Sequence, residues 1–118
     1  MNVVTSAILL LILTLIAHLY EEVRTGFRRK FPVGEMPVFV FVGVNVVLYA
    51  FCFSTLFLST RGHPLAIPFA WIFAVIMLAN GIGHIGIMLC RRAYFPGGIT
   101  AFLLLVSSIY LIYSLAVH

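Results

Sequence analysis

The sequence predicts an all-α fold: one integral-membrane bundle of four helices, with both termini on the non-cytoplasmic side. Three observations carry this expectation. The chain has 118 residues, 64% of them hydrophobic and 8% charged, whereas a soluble domain carries roughly 25% charged residues. Four apolar stretches are each about 20 residues long, enough for helices crossing about 30 Å of hydrocarbon. All seven Lys and Arg residues fall in the short connectors between those stretches. The length allows a single domain, residues 1–118, and no separate soluble module.

The first span is expected over residues 2–22. No Lys or Arg precedes its apolar run and no A-x-A cleavage site follows it, so it reads as a retained helix rather than a signal peptide. Phe31-Pro32-Val33-Gly34 and Pro37 then interrupt the chain, because proline cannot continue a helix and restricts the residue before it. The second span is expected over 38–59 and ends at the turn Arg61-Gly62-His63-Pro64. The third runs over 68–90. Phe95-Pro96-Gly97-Gly98 separates it from the fourth, over 99–117.

The positive-inside rule sets the orientation. Connectors one and three hold Arg24, Arg28, Arg29, Lys30, Arg91 and Arg92, while connector two holds Arg61 alone. The first and third connectors therefore face the cytoplasm. Charges placed this way suit anionic headgroups; nucleic acid would need a continuous basic face, and there is none. Cys52 and Cys90 fall on different helices near opposite faces, beyond disulfide reach, and read as two buried small hydrophobes. Tyr20, Tyr94, Tyr110 and Tyr113 fit interfacial aromatic belts.

Strongly polar residues inside a span are expensive and mark candidate sites. His18-Leu19-Tyr20-Glu21-Glu22 closes the first span. At about 100° per residue, Glu21 and Glu22 lie one turn below His18, one on either side of it, so all three fall on one face. In the third span Asn80 and His84 are four apart and share a face, and Gly81, Gly83 and Gly86 allow a second helix to approach closely. His18 and His84 both lie about 9–10 Å from the cytoplasmic edge, at about 1.5 Å per residue. Asn45, in the second span, reaches a similar depth. This shared slab is the main sign of a site. Each residue also has a structural reading: Glu21 and Glu22 pairing with Arg24 or Arg91, the histidines and asparagines bonding between helices. His63 reads as a solvated turn residue, and His118 as a terminal one.

His18-Leu19-Tyr20-Glu21-Glu22 matches the signature of the HXXEE-domain family, small bacterial membrane proteins. Asn80-Gly81-Ile82-Gly83-His84 is similar to that family's second histidine segment, and Tyr94-Phe95-Pro96-Gly97-Gly98-Ile99-Thr100-Ala101 resembles its Y-x-P-G-x-x-T-A stretch. The resemblance covers the chain from His18 to about Tyr110. It implies an enzyme or metal-binding domain working through His18, Glu21, Glu22 and His84, and a location in a bacterial cytoplasmic membrane.

The leading expectation is a membrane-embedded, metal-dependent enzyme acting on a lipid or other apolar substrate. His18, Glu21, Glu22 and His84 would hold one or two divalent ions, zinc or iron/manganese. Glu21 or Glu22 could instead act as general base, with Asn45, Asn80 and Thr100 as outer supports or substrate contacts. A metal-free His/Glu isomerase of lipid double bonds is one alternative. A small transporter or binding protein is another, and an accessory subunit with purely structural polar residues is a third. The site is enclosed by one chain or shared across a homo-oligomer interface.

Overall fold

A computed structural model describes residues 2–117, so the expectation for His118 lies outside it. Four helices follow one another: α1 (Val3–Thr25), α2 (Val38–Thr60), α3 (Ala66–Arg91) and α4 (Gly98–Ala116). A short 3₁₀ turn, Phe27–Lys30, follows α1. All four helices are long and apolar enough to cross a membrane.

The ends follow local chemistry. Asn2 caps α1 by accepting from the Thr5 amide at 2.8 Å, which satisfies one of the unpaired donors of the first turn. Gly26 closes α1 with a left-handed φ of 78°, as C-terminal glycines do. The helix thus runs about a turn past the expected end at Glu22 and carries Arg24 with it. α3 starts two residues before Pro68, which sits in its first turn, where a missing N–H costs nothing.

α4 packs against both α3 and α1, whereas α2 meets α1 and α3 more sparsely. The core is Ile8, Leu11, Ile12 and Leu15 of α1, with Phe73 and Met77 of α3 and Leu104 and Leu111 of α4. α2 buries only Cys52, Thr55 and Ser59. It is tied to α1 by Thr5 and Ser59, whose hydroxyls lie 2.6 Å apart, and by the Tyr49 hydroxyl, which donates to the Leu15 carbonyl at 3.0 Å.

Of the α3 glycines, Gly81 alone sits in a tight crossing: a Cβ there would lie 3.0 Å from the Ala101 carbonyl oxygen of α4. Nothing approaches Gly83 or Gly86. Cys52 is buried as expected. Cys90 is exposed instead, because it lies on the outer side of the last turn of α3.

Candidate metal centre

The buried centre forms where α1, α3 and the connector into α4 meet. His18 and Glu22 are stacked one turn apart on α1, and His84 enters from α3. All three are buried, His18 to 1% exposure. The Glu22 carboxylate oxygen Oε2 lies 3.4 Å from His18 Nε2 and 3.2 Å from His84 Nε2. The two imidazoles meet edge to face, with centroids 4.6 Å apart.

The connector closes over this pair. Phe95, Pro96, Gly97 and Gly98 are all buried. Gly97 has φ 89°, and a Cβ on it would fall 2.7 Å from His84 Cε1 and 2.8 Å from His18 Cε1. Only glycine gives both this left-handed backbone and this space. The rings of Phe27 and Phe95 flank His84, with centroids at 5.3 and 5.5 Å.

Glu21 goes elsewhere. One residue along α1, it turns to the start of α4, where its carboxylate accepts from the Thr100 amide at 2.8 Å, the Ile99 amide at 3.1 Å and the Thr100 hydroxyl at 2.6 Å. The Tyr94 hydroxyl donates to it as well. α4 has no side-chain cap of its own, so Glu21 supplies one from α1, and the negative charge suits the helix N-terminus. Burial, reinforced by donation to Glu21, holds the Tyr94 phenol above its ordinary pKa. Tyr94 therefore stays a donor.

A tautomer follows from these contacts. The single Thr100 hydroxyl proton goes to the Glu21 carboxylate, which accepts only. The Thr100 oxygen must then accept from His18 Nδ1, 2.9 Å away. With its proton on Nδ1, a neutral His18 turns the lone pair of Nε2 inward, towards Glu22. That buried nitrogen has no hydrogen-bond partner, and neither has His84 Nδ1.

The donor set fits a divalent ion. His18, Glu22 and His84 each offer a ligand atom, all within 4.8 Å of one another. Tetrahedral coordination with bonds of about 2.0–2.1 Å separates ligand atoms by about 3.3–3.4 Å, close to the 3.2 and 3.4 Å separations here. Two imidazole nitrogens and a carboxylate suit zinc, iron or manganese. The chain Glu21–Thr100–His18 is the kind of outer support that orients a metal-binding histidine.

The structure therefore brings His18, Glu22 and His84 together and leaves Glu21 out of that group. Asn45 donates to the Phe41 carbonyl of its own helix at 2.8 Å. It lines, with Asn80, Glu22 and His84, a cavity of about 190 Å³. Thr100 connects His18 to Glu21. Neither Glu21 nor Glu22 forms an ion pair with an arginine among the described residues; Arg24 donates to Tyr20, and Arg28 pairs with Glu35 at 3.0 Å. His63 is exposed and accepts from the Leu65 amide, as a turn residue does. Phe27, Phe95 and Gly97 were not singled out from the sequence. The Tyr-x-Pro-Gly stretch was the signal for Gly97, and also for Tyr94, whose hydroxyl serves Glu21.

The family model described as a protein of unknown function with an HXXEE motif matches residues 4–111. The chain belongs to that family. In this HXXEE protein the named histidine and the second glutamate, His18 and Glu22, face the buried centre, while the first glutamate, Glu21, reaches it through Thr100. No curated protein and no solved structure matches the chain.

Proposed function

We propose that this HXXEE protein is a membrane-embedded, metal-dependent enzyme acting on a lipid or other apolar substrate, with α1 and α3 ending at the cytoplasmic face. The observation that carries this reading is the gathering of His18, Glu22 and His84 in one buried group, with Glu22 Oε2 3.4 and 3.2 Å from the two Nε2 atoms. Two imidazole nitrogens and a carboxylate oxygen at this spacing form a donor set that suits a divalent ion.

His18, Glu22 and His84 hold the ion in this reading. When bound, zinc supplies Lewis acidity, and iron or manganese supplies redox chemistry as well. Thr100 and Glu21 hold His18 in the ligating tautomer. Phe27 and Phe95 keep water from His84, and Asn45 and Asn80 offer amides to a substrate in the adjoining cavity. The apolar outer surface supports a lipid setting: Phe39, Leu89 and Val106 are among many large hydrophobic residues exposed, and the 41 Å long axis matches a bilayer of about 40–45 Å with its headgroups.

Elemental analysis of detergent-purified protein tests the reading. Near-stoichiometric metal is expected in the wild type and in His63→Ala, and none in His18→Ala or His84→Ala. Folded wild-type protein that takes up no zinc, iron or manganese when these are supplied would defeat it. The close approach of Glu22 to both imidazoles favours one second reading, proton transfer between His and Glu without metal, and that result would leave it standing.

A further inference from the structure

Beside the buried centre lies a wider cleft of about 600 Å³ between α1, the 3₁₀ turn and the start of α2. Its lining includes Arg24, Arg28, Arg29 and Lys30, together with Glu22. Glu22 and Phe41 also line the inner cavity that reaches His84. Phe27, Asn80 and His84 in turn are shared between that cavity and a third space of about 240 Å³, whose walls include Phe31, Ile87 and Phe95. Three spaces thus adjoin in order: a basic one, one at the buried centre and an apolar one.

We propose that the basic cleft binds the phosphate of a phosphate-bearing amphiphile, whose apolar part extends past Glu22 and His84 towards Phe31 and Ile87. This rests on the reading of the buried group as a reacting centre and deepens it by naming the substrate class. The charge balance supports an anion. Arg28 is held by Glu35 and by the Met36 carbonyl, but no ion pair among the described residues engages Arg24, Arg29 or Lys30. Several cations around one space exceed what a single carboxylate neutralises, and guanidinium groups match phosphate oxygens two at a time. The order of the spaces supports an amphiphile, since a free anion has no use for an apolar end.

The test is isothermal titration of the full-length protein in micelles of the phosphate-free detergent dodecyl maltoside with hexyl phosphate, inorganic phosphate and hexanol, beside metal analysis of the same samples. Hexyl phosphate should bind more tightly than inorganic phosphate, and hexanol should not bind measurably. The double variant Arg29→Gln/Lys30→Gln should weaken hexyl phosphate by roughly thirtyfold, about 2 kcal/mol for two surface charges, with metal content unchanged. The distant pair Arg91→Gln/Arg92→Gln should bind as wild type does. Equal affinity for inorganic and hexyl phosphate would make the ligand a free anion and overturn the amphiphile. Equal weakening by the Arg91/Arg92 pair would reduce the effect to diffuse surface charge and overturn the cleft. Loss of binding in His84→Ala with none in Arg29→Gln/Lys30→Gln would place the phosphate at the buried centre, against the proposal. Metal retained without hexyl phosphate binding sinks this inference alone; binding without metal sinks only the metal reading.

Discussion

Glu21 and Thr100, 79 residues apart, are joined twice: one carboxylate oxygen accepts from both the amide and the hydroxyl of Thr100, at 2.8 and 2.6 Å. Because that hydroxyl also contacts His18 Nδ1, the pair places a proton on Nδ1 of the buried imidazole. Thr100→Val removes the relay while keeping the shape. Metal affinity should fall by about 10–100-fold, the usual cost of losing an outer partner, and Thr100→Ser should recover most of it. Unchanged affinity in Thr100→Val, measured by competition with a chelator, would show that His18 needs no such support.

The two glutamates should separate cleanly. Glu21→Ala uncaps α4 and strands two amides, so thermal unfolding should show a loss of about 1–3 kcal/mol. Glu22→Ala should abolish metal retention and leave the cap of α4 intact, because Glu22 contacts the two imidazoles and not the Ile99 and Thr100 amides. Identical behaviour of the two variants would contradict the division of labour described above.

Gly97→Ala should be worse than glycine strain alone. Gly62 also has a left-handed φ, 66°, but open space around it, so Gly62→Ala reports the backbone cost by itself, about 1–2 kcal/mol. Gly97→Ala adds a collision with both imidazoles and should lower both the melting temperature and the metal content further. Equal melting temperatures and full metal in both variants would mean the histidines have more room than the structure gives them.

On α3, Gly81→Ala should cost about 1–3 kcal/mol, because the added methyl group meets α4 backbone at 3.0 and 3.2 Å. Gly83→Ala meets nothing and should be neutral or stabilising by up to about 1 kcal/mol from helix propensity. Denaturation in mild detergent distinguishes them; a harmless Gly81→Ala would mean that α3 and α4 can part without loss.

The four helices were legible because each is one long apolar run, and Pro32, Pro37, Gly62 and the Pro96-Gly97 turn marked nearly every boundary. The pairing of His18 with His84 was legible from depth, since both helices run the same way. The split between Glu21 and Glu22 was not. A helical wheel places them about 100° apart around His18, but it cannot say that α4 lies beside the first and α3 beside the second. Nor could spacing reveal that Gly26, rather than Glu22, ends the first helix, or that the Gly97 turn folds down over the imidazoles.

The borrowed cap on α4 bears on the order in which the protein becomes competent. Chains emerge N-terminus first, so His18, Glu22 and His84 are all made before Thr100. Until α4 docks, Glu21 lacks its amide donors and His18 Nδ1 lacks the Thr100 acceptor. A nascent chain with three helices in place carries every inward-facing residue of the centre but not the proton arrangement that joins them. Arrival of the last helix therefore supplies the acceptor for His18 and the amide donors for Glu21 in the same event that finishes the bundle.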